Sequence, residues 1–232
     1  MTAITIYELA GAEPDRRFSP FCWRTRMALA HKGLAAEGIP WRFLDKDKIA
    51  MSGQGAVPVI VDGSKVVSDS WTIAEYLENA YPDRHSLFGG DKGRALTRFY
   101  NNWTAGAVQL PLFRMIGIDI FNHLAESDRT YFRQSREARF GVSLEALAAD
   151  RDDKVKAFRQ GLQPLRATLE TQPFLGGDSP LYADYIVFGA FQWARCISPF
   201  QLLEAADPVY AWRKRLLDAF DGMAGRAKGY PV

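Results

Sequence analysis

The sequence predicts an α/β domain followed by an all-α domain. Short alternating apolar runs and a hairpin signature are confined to the chain before Pro82, and helical periodicity takes over beyond residue 93. Between them, residues 83–93 are polar and rich in Gly and Asp, which reads as a boundary. A chain of 232 residues with 47 % hydrophobic content is long enough for two cores. The expected domains are residues 1–83 and 94–232.

Residues 4–9 alternate around Ile4 and Ile6, as a half-buried strand does, and residues 11–17 form a polar turn. A helix follows with both ends marked. Ser19 is a good N-cap, Pro20 suits the first helical position because its missing N–H would be unpaired there, and Gly33 is a C-terminal stop. Residues 41–44 alternate again and suggest a second strand; residues 45–56, with Lys46 and Lys48, read as loop. Val57 to Val61 and Lys65 to Val67 flank a turn at Asp62-Gly63-Ser64, with Pro58 opening the first strand. Asp69 or Ser70 then caps a helix that ends before Tyr81-Pro82. The order β-α-β, loop, hairpin, helix fits a thioredoxin-like fold.

Beyond the boundary, helices are expected over 94–121, 128–149, 153–171, 183–197 and 208–220, the first interrupted or kinked at Pro111. This half holds a dense aromatic set: Phe99, Tyr100, Trp103, Phe113, Phe121, Tyr131, Phe132, Phe188, Phe191, Trp193 and Phe200. Most of these belong in a core, with a minority free to line a pocket.

The bulk numbers exclude several functions. With 29 basic and 27 acidic residues, a net charge of +2 and no basic run, nucleic acid is not an expected partner. Cys22 and Cys196 fall in different domains, no Cys/His cluster has ligand spacing, and so reduced thiols without a metal are expected. The first residues lack a basic segment and a long apolar one, and the expectation is a cytoplasmic protein with no membrane partner. His31, His85 and His123 are isolated. Gly177-Asp178-Ser179 lacks the context of a hydrolase nucleophile, and Gly53-Gln54-Gly55 lacks the third glycine of a dinucleotide loop.

One stretch does carry chemistry. First-turn N–H groups of a helix have no intrahelical partner and favour an anion. Ser19 stands at that front with a hydroxyl able to donate to a thiolate, three residues before Cys22, in the spacing of a Cys-x-x-Cys motif whose first cysteine has become serine. No disulfide can close within such a motif. Ser19 is equally suited to capping alone, and Cys22 to acting as a small buried hydrophobe.

Ser19-Pro20-Phe21-Cys22-Trp23-Arg24, Val57-Pro58 and Asp69-Ser70 together resemble the cytosolic glutathione transferases of the serine class, and the resemblance spans essentially the whole chain. It implies Ser19 as the catalytic residue and glutathione as co-substrate. Val57 precedes the cis-proline position and would pair with the cysteinyl unit, while Asp69 and Ser70 would hold the γ-glutamyl group. Tyr100 and Trp103 become candidates for the electrophile site, because that helix borders the acceptor in relatives. A homodimer acting on a small aromatic electrophile is implied. Residues 69–77 and 182–195 further resemble the bacterial lignin β-etherase branch and its fungal relatives, which implies aryl-ether substrates. The chain departs from the family's helix cap at Leu181, where Ser or Thr usually precedes the Asp at position 184, so a reciprocal capping box is absent. Two other readings fit the same fold: a glutathione-dependent thiol–disulfide reductase using Cys22, and a non-catalytic ligand carrier.

Overall fold

The structure is a computed structural model and describes residues 3–232. Strands β1 (Ile4–Leu9), β2 (Ala36–Trp41), β3 (Val59–Asp62) and β4 (Lys65–Ser68) form one sheet in the order β2-β1-β3-β4. β1 and β2 run parallel from Ile4↔Ala36 to Leu9↔Trp41, with α1 (Pro20–His31) as the crossover, and β3 and β4 complete the sheet antiparallel. Together with α2 (Ser70–Ala80) this is the thioredoxin-like half.

β2 corrects the expected strand at 41–44. It lies earlier and runs through Gly38 and Pro40, because an edge strand has one side free of the ladder and tolerates a proline there. Trp41 is its last residue, and the chain then enters a 3-10 turn, Lys46–Ser52, inside the segment expected as loop.

The second half is helical throughout: α3 (Asp91–Trp103), α4 (Leu110–His123), α5 (Glu126–Phe140), α6 (Leu144–Ala148), α7 (Arg151–Gly161), α8 (Gln163–Leu169), α9 (Tyr182–Ile197) and α10 (Pro208–Arg226). Pro111 does not break its helix. α3 passes into α4 through a π-turn, Thr104–Gln109, and Pro111 sits in the first turn after that widening. The helix expected over 128–149 is divided at Gly141, whose φ of +73° stops α5, and that over 153–171 is divided just before Pro164. α10 continues past Phe220 to Arg226, with non-helical backbone at Ala219 to Gly222. The run 91–123 is long and apolar enough to cross a membrane by length and composition, yet Val108, Leu112, Met115 and Ile116 are all spent on the core.

α9 is the axis on which both halves meet. Tyr182, Tyr185, Phe188 and Phe191 are fully buried along it, and Phe188 and Phe191 meet the edge of Trp212 from α10. Its contact with α1 depends on Gly189: a Cβ there would come within 2.5 Å of the Pro20 carbonyl oxygen. Gly189→Ala should therefore push α1 and α9 apart and destabilise the fold by about 1–3 kcal/mol, with a lowered Tm as the measure. At the start of α9, Asp184 accepts the Leu181 N–H at 3.0 Å, with no polar side chain at Leu181 to reciprocate.

Candidate active site

Ser19 caps α1 in extended backbone, φ −63° and ψ 127°, and its Oγ accepts the Cys22 N–H at 3.2 Å. That bond uses an acceptor lone pair and leaves the hydroxyl proton free to donate. The residue is buried and lines a cavity of about 490 Å³. α1 enters the sheet here because Leu9 ends β1 and Phe18, fully buried, anchors the returning loop; both also line the cavity.

Val57 joins Ser19 in the lining, ahead of a cis peptide bond to Pro58. The hairpin ladder begins at Val59↔Ser68, so Val57-Pro58 leads into β3 at the same sheet end where Asp69 and Ser70 leave β4. Neither Asp69 nor Ser70 lines the cavity itself. Asp69 is the N-cap of α2, the question that sequence left open. Its Oδ1 accepts the Trp71 and Thr72 N–H groups, each at 3.0 Å, and the Thr72 hydroxyl at 3.2 Å, from a left-handed backbone with φ of +71°. Oδ2 takes no part in the cap. Ser70 is buried at the first helical position, where its carbonyl accepts the Tyr182 hydroxyl at 2.6 Å.

Cys22 is in a different environment from Ser19. It is not part of the cavity lining and is 1 % exposed, with Sγ 4.0 Å from the Tyr7 carbonyl oxygen. Burial, reinforced by the nearby Glu8 carboxyl, pushes its thiol up to about 12. A thiol held that high is not a nucleophile at neutral pH.

Tyr100 and Trp103 do not reach the cavity; both are half-buried and pack against the core. The helical residues that face it here are Ala105, Gln109, Leu110 and Phe113, at or beyond the π-turn, and Asn101 on α3 does not reach it either. Asn101 is itself engaged, accepting from Arg24 Nη1 at 2.8 Å. Of the aromatic set, Phe113, Tyr131, Phe132 and Trp193 line the cavity, whereas Phe188 and Phe191 are core. Trp41 and Phe43 close it from the sheet side; Phe43 lies 5.7 Å from Phe132 between ring centroids, and its N–H donates to Asp128 Oδ2 at 3.0 Å.

Sequence reasoning missed two cations in this lining, Arg136 and Arg139, and left open the direction of a third, Lys46. Lys46 donates to the Gly55 carbonyl and lies 4.9 Å from the Trp41 ring centroid, while Lys48 is turned to Asp45 at 2.8 Å. No aspartate or glutamate lines the cavity among the described residues. Arg136 was detectable: it stands four residues from both Phe132 and Phe140, on the apolar face of α5, where an arginine is out of place.

A thioredoxin-like half and an all-helical half sharing one cavity, with a hydroxyl at a helix front, define a glutathione-transferase scaffold. Residues 18–80 match the glutathione S-transferase N-terminal domain and residues 95–218 the C-terminal domain. The chain belongs to the glutathione S-transferase family. It is 25 % identical over 204 residues to glutathione S-transferase omega-1 of Mus musculus, covering 84 % of this chain and 72 % of that protein. A 43 % identity to glutathione S-transferase Z1 of Arabidopsis thaliana is confined to 65 residues, 26 % of this chain and 29 % of that one. Among solved structures, a Ceriporiopsis subvermispora glutathione S-transferase in complex with glutathione superposes with a TM-score of 0.83 at 26 % identity, covering 95 % of this chain and 97 % of that one. The transferase GSTFuA3 of Phanerochaete chrysosporium gives 0.77 at 26 % identity, over 96 % and 93 %.

Proposed function

We propose that the protein is a serine-type glutathione transferase that attacks a hydrophobic aromatic electrophile with the glutathione thiolate. The observation that carries this is the Ser19 hydroxyl, free to donate, in the lining of an aromatic-walled cavity. Ser19 holds the thiolate, the Val57 backbone takes the cysteinyl unit, and Asp69 and Ser70 take the γ-glutamyl group at the adjoining sheet end. Lys46, beside Gly55 and Val57, is placed for a carboxylate of the peptide. The domains of this enzyme are residues 1–83 and 94–232, and it works in the cytoplasm as a homodimer. Leu96 and Phe99, 69 % and 65 % exposed at i, i+3 on α3, support a subunit contact. The reductase reading is disfavoured by the buried, high-pKa Cys22.

Asp69 makes a clean test of the glutathione end. Asn is as good an N-cap as Asp and tolerates a left-handed backbone, so Asp69→Asn keeps α2 while deleting the charge. We expect the glutathione KM to rise about tenfold or more with a smaller fall in kcat; an unchanged KM would remove Asp69 from the site.

The substrate class favoured here is the β-aryl ether ketone, on the resemblance of residues 182–195 to the etherase branch and on the aromatic cavity wall. A carbon–sulfur bond forms at the carbon next to the ketone as the carbon–oxygen bond breaks, and the phenoxide leaves with the electron pair. Incubation with glutathione and a β-aryl ether ketone should release free phenol at a rate proportional to enzyme and dependent on Ser19. Release no faster than without enzyme, alongside conjugation of simple chloronitroaromatics, would leave a general transferase; binding without turnover of either would leave a carrier.

A further inference from the structure

Arg136 is a half-buried cation of the cavity lining. Its guanidinium carbon lies 4.9 Å from the Phe132 ring centroid and 5.6 Å from that of Phe43, and its one hydrogen bond is Nη1 to Ser135 Oγ at 3.0 Å. It forms no ion pair with any described residue, although on the same helix Arg133 is paired with both Glu137 and Glu145 at 2.8 Å. Burial pulls its pKa down from the ordinary arginine value, and the neighbouring Arg139 adds to that pull. Arginine does not shed its proton in a protein, so within the chain its partial burial is offset only by the Ser135 bond and the two aromatic faces, and a carboxylate would supply the missing counter-charge.

The other two cations do not fill this role. Lys46, bonded to the Gly55 carbonyl, is assigned above to a carboxylate of glutathione, and Arg139 is exposed on the next turn of α5, over Phe140. Arg136 and Ser19 line the same cavity, and Phe43, Phe113, Phe132 and Trp193 give it an aromatic wall. A flat ring fits that wall, and a planar guanidinium in the same lining matches a carboxylate with two parallel hydrogen bonds.

We propose that Arg136 is the specificity residue of the electrophile site and that the preferred substrates are aromatic electrophiles bearing a carboxylate. This rests on the transferase reading above and deepens it. Arg136 binds the carboxylate and thereby directs the opposite edge of the ring toward the thiolate held by Ser19. For an aryl chloride, the sulfur adds to the chlorine-bearing carbon, the carbon–chlorine bond breaks, and chloride leaves with its electron pair.

The test uses two substrates of equal size, 4-chloro-3-nitrobenzoate and 4-chloro-3-nitrobenzamide. Their intrinsic reactivities differ, so the readout is the ratio of kcat/KM for carboxylate over amide, compared between wild type and variants. Arg136→Gln should lower that ratio by about tenfold or more, the scale of a lost charge-assisted hydrogen bond, and Arg136→Lys should restore part of it. A second arm needs no turnover: quenching of Trp41 and Trp193, which both line the cavity, by 3-nitrobenzoate and 3-nitrobenzamide. Wild type should bind the anion more tightly, and Arg136→Gln should abolish the preference while keeping the wild-type Tm or raising it. If neither chloride is conjugated, the transferase reading fails, and the binding arm still decides the role of Arg136. The proposal is overturned by a wild type without preference, or by a ratio unchanged in Arg136→Gln. It is also overturned if both substrates slow equally, which makes Arg136 a leaving-group stabiliser, or if only the glutathione KM moves.

Discussion

Ser19→Ala should cut turnover with glutathione by roughly 10²-fold or more, the scale of one lost oxyanion-type donor. Glutathione must react as thiolate, and an ordinary thiol with a pKa of about 8.5 is only a few per cent ionised at neutral pH. Lowering it by about two units asks the site for about 2.7 kcal/mol. A charge-assisted hydrogen bond contributes about 1.5–3 kcal/mol and a helix N-terminus about 0.3–1 kcal/mol, so the Ser19 hydroxyl and the front of α1 suffice together. The same change removes the cap bond to the Cys22 N–H, at a stability cost of about 1 kcal/mol. The rate of thiolate formation should therefore respond far more than the Tm. Ultraviolet titration of bound thiolate would check the cause, with its apparent pKa rising in Ser19→Ala. A variant with wild-type kcat, paired with an inactive Cys22→Ala, would return the reductase reading.

What was legible in the sequence was whatever the backbone chemistry of one residue decides. Ser19, Pro20 and Gly33 bound α1 because capping, a missing N–H and a left-handed φ of +64° are local properties. The hairpin 59–68 follows from its turn residues in the same way. Asp69 as a cap was half legible: the residue type fits, but its choice over Ser70 depends on a positive φ that only the join of β4 to α2 imposes. Position β2 failed because an edge strand can absorb Gly38 and Pro40, and edge status is a property of the sheet. Tyr100 and Trp103, which pack against the core outside the cavity lining, stand before a break in the helical phase. The π-turn Thr104–Gln109 shifts the helical phase, so the stripe facing the cavity cannot be extrapolated across it. Arg136, by contrast, left a signal in the sequence as a charge on an apolar face, one that reads as noise until the cavity beside it is seen.

Asp184→Asn should have the largest effect on stability of any single isosteric change in this chain. The carboxylate is fully buried and accepts four hydrogen bonds: Leu175 N–H at 2.8 Å and Trp212 Nε1–H at 2.8 Å on Oδ1, Gly176 N–H and Leu181 N–H, each at 3.0 Å, on Oδ2. Those donors come from the loop before α9, the first residue before its helical turn, and α10, so one side chain ties three segments together at the core. Burial pushes the carboxyl upward, and the four donors oppose it; every one of them requires an acceptor, which only the ionised form offers on both oxygens. Asparagine of nearly the same shape replaces one oxygen with an N–H₂ group facing two donors. Two buried hydrogen bonds to a charged acceptor are lost, the others weaken, and the orphaned N–H groups cannot reach water. At about 1.5–3 kcal/mol for each lost charged bond, the cost is roughly 3–6 kcal/mol, a large share of the 5–15 kcal/mol typical of a folded domain. Urea denaturation should show the midpoint falling steeply with little change in slope, and tryptophan emission should report the release of Trp212 from its partner. A midpoint within experimental error of wild type would mean that α9 is held by its apolar packing alone.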